Sequence, residues 1–294
     1  VNNRINGKTA LYGVIGYPIS HSMSPEIHNT IFDLRKENRI YLPLSIPPET
    51  LKDAMMMLGS SFKGFNVTIP HKEKIMEYLD EIDEKARWYG AVNTVKVEDG
   101  KLIGYNTDGY GFTRSMVEEG VSLEGKRILL VGSGGAARIA GHEILLQGGL
   151  LTIANRSSDR SHRLKEVLET NIGAKDIKTM DLNHIESGFD CIINATPLGM
   201  APWVEEMPVR EEVLKNSPWI FDMVYNPYET KLMRLGKIYG CRVKNGFSML
   251  FYQAVKAQEI WMGKMFLEDE LYKLHEEIEN YIVGSRREDI ESIG

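Results

Sequence analysis

At 294 residues the chain exceeds the size that one hydrophobic core usually serves, so two lobes with a cleft between them are expected. With 43% hydrophobic and 26% charged residues it is neither disordered nor fibrous, and a net charge of -6 without a long basic stretch argues against nucleic acid or a membrane surface as partner. Cys191 and Cys241 stand far apart and outside any Cys-x-x-Cys spacing, so neither a disulfide framework nor a zinc site is indicated.

Val1–Ala10 is polar, and no apolar run approaches about 18 residues, so the expected location is the cytoplasm. Short apolar strands then alternate with helical patterns, the signature of an α/β fold. Leu11–Gly16, Tyr41–Ile46, Gly64–Ile69 and Ala91–Val97 read as strands of the first lobe. After the first, Ser24 reads as an N-cap and Pro25 as the first helical residue, with Ile27 and Ile31 on the apolar face. Capping does not require Ser22, and two hydroxyls beside a helix N-terminus suit a carboxylate.

Alternation along Gly64–Ile69 puts Asn66 and Thr68 on one face and Phe65, Val67 and Ile69 on the other. The next helix carries Ile75, Leu79, Ile82 and Ala86, and the same stripe extended backward meets Lys72. A cation is disfavoured at a helix N-terminus and on partial burial, conditions that suit a proton donor. The turn Glu98–Lys101 joins Ala91–Val97 to a strand Leu102–Thr107, a hairpin that makes the first sheet mixed. Asn93 lies in the first arm of that hairpin, and Asp108, directly after it, either caps the following helix or holds the Lys72 ammonium. The glycines of Asp108-Gly109-Tyr110-Gly111 offer flexible backbone for a boundary, giving a first domain of 1–108 and a second of 109–244. Helical patterns from Ser248 through Trp261 and on to about Ile282 assign 245–294 back to the first, with the charged end Ser285–Gly294 expected to fray.

In the second domain Arg127–Val131, Leu150–Ala154, Phe189–Asn194 and Trp219–Met223 read as strands of a doubly wound parallel sheet. The first runs into Gly132-Ser133-Gly134-Gly135-Ala136-Ala137 and an apolar helix Arg138–Leu146, so free N–H groups and the helix dipole can meet a pyrophosphate. At the end of the next strand a NAD-binding fold usually carries an acid; this chain reads Asn155-Arg156-Ser157, with Arg160 close behind. Arginines suit the 2′-phosphate of NADP. The competing reading is two solvated arginines that open a helix.

These motifs together resemble the shikimate dehydrogenase family. The resemblance runs in order through Ser22-Met23-Ser24-Pro25, Asn66 to Lys72, Gly90 to Thr94, Asn106 to Gly109, Gly132 to Arg138, Asn155-Arg156-Ser157, Asn194 to Met200 and the helix around Gln253. It implies a substrate-binding lobe and a Rossmann-like NADP lobe, reversibly reducing 3-dehydroshikimate to shikimate without a metal, as a monomer or homodimer. By the same resemblance Ser22, Ser24 and Tyr225 hold a carboxylate, and Asn66, Thr68, Asn93, Asp108 and Gln253 bind ring hydroxyls. Lys72 and Asp108 form the catalytic pair. Thr196 to Met200, with Met223 and Gly246, border the nicotinamide, and Asn155, Arg156, Ser157 and Arg160 surround the adenosine phosphate. Lineages that use NAD or accept quinate share most of these motifs, and a ligand sensor on the same fold is the alternative of another class.

Overall fold

The computed structural model describes residues 5–174 and 176–282, with the backbone of the last helix traced to Glu291. The segment expected to fray, Ser285–Gly294, continues as helical backbone to Glu291, and 292–294 lie outside the described residues. The chain divides into two compact units, one of 1–107 with 253–294 and the other of 108–252.

The first unit opens with β1 (Ala10–Gly16), α1 (Ser24–Leu34), β2 (Arg39–Ser45), α2 (Leu51–Ser61) and β3 (Phe62–Val67). It continues with β4 (Glu81–Ile82), α3 (Glu84–Tyr89), β5 (Thr94–Glu98) and β6 (Lys101–Tyr105). The six strands lie in the order β2-β1-β3-β5-β6-β4, with β1 parallel to β2 and β3, and β5 antiparallel to β3 and β6. The sheet is mixed, as the hairpin required. Asp99 and Gly100 both take positive φ, 50° and 79°, which is the twist-matched turn of a two-residue hairpin.

The second unit comprises α4 (Asp108–Glu118), β7 (Arg127–Val131), α5 (Gly135–Leu146), β8 (Leu150–Asn155), α6 (Ser158–Ile172) and β9 (Lys178–Asp181). It goes on with β10 (Cys191–Asn194), α7 (Glu211–Leu214), β11 (Trp219–Asp222), α8 (Lys231–Ile238) and β12 (Arg242–Lys244). All six strands are parallel, in the order β12-β11-β10-β7-β8-β9. Read from β9, this is the doubly wound order, and the direction of winding reverses between β7 and β10. β7 shows why the sheet forms: Ile128 and Leu130 pack into one core and Leu129 and Val131 into another on the opposite face. Each such side chain stabilises the unit by roughly 1.5 to 3 kcal/mol, and both faces demand helical cover. The chain closes with α9 (Phe247–Met262) and α10 (Glu268–Glu291). No helix among the described residues is long and apolar enough to cross a membrane.

Four local expectations are corrected. The helix expected from Lys72 through Ala86 is broken: Lys74–Tyr78 is a 3-10 turn, Glu81–Ile82 is drawn out to pair with β6, and α3 starts afresh where Asp83 Oδ2 accepts the Lys85 N–H at 3.0 Å. The stripe still predicts burial, since Ile75 and Ala86 are fully enclosed. Asp108-Gly109-Tyr110-Gly111 is the first turn of α4, with both glycines buried, rather than a flexible loop. Ser24 is the first helical residue, because the Met23 carbonyl already accepts the Ile27 N–H at 3.1 Å. Ile69 is exposed rather than on the apolar face, since the strand ends at Val67 and the chain turns over Ile69-Pro70.

Candidate active site

In the first unit the expected polar residues gather around the end of β3. Ser22 and Ser24 flank the start of α1, where Ser22 Oγ accepts the Ser24 N–H at 3.3 Å. So the hydroxyl assigned no capping role is the one that meets the helix end. Asn66, third in the run of four buried residues Gly64–Val67 of β3, is only 5% exposed. Its Nδ2 donates to the Asn93 carbonyl at 3.0 Å and to Thr94 Oγ1 at 2.9 Å, and its Oδ1 accepts the Tyr41 hydroxyl at 2.6 Å. Both N–H bonds are committed, so Asn66 can meet a ligand only through its oxygen.

Asn93 Oδ1 accepts from the Thr107 N–H at 2.8 Å and from Thr94 Oγ1 at 2.8 Å, which fixes the chain directly ahead of Asp108. Thr68 and Lys72 are both half-buried, in the turn closed by the His71 N–H on the Thr68 carbonyl at 2.9 Å. The Lys72 carbonyl accepts the Val92 N–H at 2.8 Å, so this turn is tied to the segment that carries Asn93. Gln253, on α9, is 8% exposed. Behind this group His28 stacks on Tyr41 at 4.1 Å between ring centres, and its Nδ1 accepts from Gln258 Nε2 at 3.0 Å. Burial pushes the His28 imidazole down to about 3, with the Asn66 side chain pulling weakly the other way, so the ring is neutral.

The second unit carries Asp108, Tyr225 and the expected cofactor residues. Gly132 leaves β7 with φ 116°, and a Cβ there would lie 2.9 Å from the Ala195 carbonyl oxygen. That glycine is needed for the fold. Gly134 and Gly135 are different, since a Cβ on either would meet nothing within 4 Å, and both are exposed with Ala136 at the N-terminus of α5 while Ala137 is buried. Open backbone at a helix N-terminus is what a pyrophosphate needs. Asn155 ends β8, its Nδ2 donating to the Ser157 carbonyl at 3.0 Å, and Arg156 and Arg160 are exposed on either side of Ser157, the residue ahead of α6. The donor set therefore fits a dinucleotide with an extra phosphate on its adenosine half.

Thr196 and Met200 belong to the loop after β10, and Gly246 lies so close to Met223 that a Cβ would come within 2.1 Å of its carbonyl oxygen. Tyr225 is half-buried in the segment after β11, and Asp108 begins α4. Sequence reasoning gave no role to Asp222, which ends β11. Its carboxylate is fully buried and accepts from Asn194 Nδ2, the Val224 N–H and Thr230 Oγ1 at 2.8, 3.1 and 2.7 Å. Burial pushes its carboxyl up to about 6 against those three hydrogen bonds. A charged residue at the carboxyl end of a parallel strand beside the switch point was the signal available.

Residues 14–95 match the family model of the shikimate dehydrogenase substrate binding domain. The chain is 42% identical over 272 residues to the NADP(+) shikimate dehydrogenase of Carboxydothermus hydrogenoformans, covering 88% of this chain and 94% of that one. It is likewise 42% identical over 266 residues to that of Methanocaldococcus jannaschii, covering 88% and 93%. A solved shikimate dehydrogenase in complex with NADP+ superposes with a TM-score of 0.87 at 39% identity, over 93% of this chain and 96% of that one. The mixed sheet, the doubly wound sheet with its glycine turn, and this likeness across nearly the whole length show that the chain belongs to the shikimate dehydrogenase family.

Proposed function

We propose that the protein catalyses the reversible, NADPH-dependent reduction of 3-dehydroshikimate to shikimate. The observation that carries this reading is a likeness to relatives named for that activity that covers 93–94% of their length. The exposed glycine turn and the two arginines beyond β8 support the choice of NADP. When bound, the cofactor supplies the hydride for reduction and takes it back in the reverse direction.

The chain's own residues then bind, orient and move a proton. Ser22, Ser24 and Tyr225 hold the substrate carboxylate, and Thr68, Asn93, Asp108 and Gln253 meet the ring hydroxyls, with Asn66 accepting through its oxygen. Lys72 gives a proton to the ketone oxygen as the carbon receives hydride, and removes it from the alcohol in reverse. Asp108 holds the Lys72 ammonium in line, which keeps donor and oxygen in register. Gly132, Gly134, Gly135, Ala136 and Ala137 bind the pyrophosphate. Asn155, Arg156, Ser157 and Arg160 hold the 2′-phosphate, and Thr196, Met200, Met223 and Gly246 border the nicotinamide. A diffusible nicotinamide cofactor agrees with the cytoplasmic location expected from the sequence, and the enzyme acts on its small-molecule substrate as a monomer or homodimer.

The test is an assay of purified protein with shikimate or quinate and with NADP+ or NAD+, followed by nicotinamide absorbance. Turnover should be fastest with shikimate and NADP+. A preference for NAD+ overturns the cofactor half of the reading, and a preference for quinate overturns the substrate half. Binding of shikimate with no turnover under any pairing would favour the ligand sensor.

A further inference from the structure

We propose that Asp222 is a positioning residue of the nicotinamide subsite: its buried carboxylate holds the loop after β10 in the shape that the nicotinamide half of the cofactor meets. The inference rests on the reading of NADP as cofactor. Three donors converge on this carboxylate, Asn194 Nδ2 and the Val224 N–H on Oδ1 and Thr230 Oγ1 on Oδ2. Among the described residues no cation pairs with it.

Each donor fastens a different piece of chain. Asn194 Oδ1 accepts the Thr196 N–H at 3.0 Å and Thr196 Oγ1 at 2.7 Å, while its Nδ2 also donates to the Leu198 carbonyl at 3.1 Å. Thr196 Oγ1 in turn accepts the Leu198 N–H at 3.2 Å, so the loop 195–198 is folded around one amide whose orientation Asp222 sets. Thr230 caps α8 by accepting the Met233 N–H at 3.3 Å, and its methyl backs Gly199, where a Cβ would come within 3.1 Å of it. The Val224 bond fixes the turn after β11, against which Gly246 packs.

The position of this loop in the sheet says which half of a dinucleotide it faces. Ligands of a doubly wound sheet lie over the carboxyl ends of the strands at the switch point, here between β7 and β10. The pyrophosphate site is the N-terminus of α5, and the arginines after β8 mark the adenosine side. β10 lies on the opposite side of β7 from β8, so the other half of the cofactor extends over β10 and its loop. That loop touches the glycine turn, since a Cβ on Gly132 would meet the Ala195 carbonyl at 2.9 Å and the Thr196 methyl at 3.2 Å.

A buried carboxylate without a counter-cation is costly. What it supplies here is acceptor capacity for three donors at once, which an amide lacks because its NH2 opposes one of them. The experiment compares wild type, Asp222→Asn, Thr230→Val and the conservative Thr230→Ser in equilibrium titrations with NADP+ and with 2′-phospho-ADP-ribose, which lacks only the nicotinamide. Asp222→Asn and Thr230→Val should weaken NADP+ binding by about tenfold and leave the nicotinamide-free ligand within about twofold, with Thr230→Ser close to wild type. Thr230→Val carries the test if Asp222→Asn does not fold. Equal weakening of both ligands, or none of either, in a folded variant overturns the proposal, and so does failure of both variants to fold, which would make the network one of stability alone. A wild type that binds neither ligand overturns the NADP reading itself and this proposal with it.

Discussion

Lys72 stands in the turn after β3, and nothing in its helical setting explains it once the expected helix is seen to be broken. Its selection rests on the motif Asn66 to Lys72 and on the half-buried site in which the turn leaves it. Lys72→Ala should lower kcat by at least ~100-fold with little change in the KM for shikimate, because a general acid acts mainly in the transition state. Steady-state kinetics across pH decide it, and near-normal turnover would remove Lys72 from the mechanism. Arg156 is the counterpart proposed for the cofactor. Losing one charge-assisted contact to phosphate at a partly exposed site costs roughly 1.5 to 3 kcal/mol, or about 10- to 150-fold. Arg156→Ala should therefore raise the KM for NADP+ by about that factor and that for NAD+ much less. Equal losses for both cofactors would make Arg156 a solvated residue at the head of α6. Side chains of this kind were legible because their chemistry is local to a motif. Tyr41, Thr94 and Asp222 were given no role, because each acts by contacting a residue 25 or 28 positions away in the chain, and Thr230 joins them only through Asp222.

At the scale of elements the glycine turn separates two demands that the motif runs together. Gly132 needs positive φ and has the Ala195 carbonyl where a side chain would go, whereas Gly134 faces open space. Gly132→Ala should cost about 1 to 3 kcal/mol of stability, read as a lowered Tm with no ligand present. Gly134→Ala should leave that Tm within about 2 °C while weakening NADP+ binding, since the added methyl stands where the pyrophosphate approaches. A fall in Tm as large as that of Gly132→Ala would show that Gly134 also serves the fold. The same contrast marks what sequence could tell about elements. The strands β1, β7, β8, β10 and β11 were legible from short, largely apolar runs. β4, β9 and β12 have two to four residues each at sheet edges, where strand pairing rather than composition makes the strand. The break between Lys74–Tyr78 and α3 was hidden for that reason: pairing of Glu81–Ile82 with β6 overrides a helical period that predicts burial equally well.

At the scale of the whole molecule the two units carry buried groups that respond to acid in opposite directions. In the first unit the unfolded chain takes up a proton at His28 below its ordinary 6.5, while the native ring stays neutral to about 3. Acid therefore favours the unfolded state across that window, and the support that neutral His28 gives is complete above 6.5 and lost as the pH falls toward 3. In the second unit Asp222 takes its proton near 6 in the native state but only near 3.8 when unfolded. Between those values acid favours the native state, so the burden of the buried charge is full above about 6 and relieved toward 3.8. From about pH 7 to about pH 4.5 each effect is on the order of 2 kcal/mol, with opposite sign. Amide hydrogen exchange resolved by residue should then show the core strands β1 and β3 losing protection while β7, β10 and β11 keep or gain it. Asp222→Asn, which cannot take up that proton, should abolish the gain in the second unit and leave the first unit's loss unchanged. Parallel loss of protection in both units, or earlier loss in β7, β10 and β11, would show that neither buried group governs how its unit responds to acid.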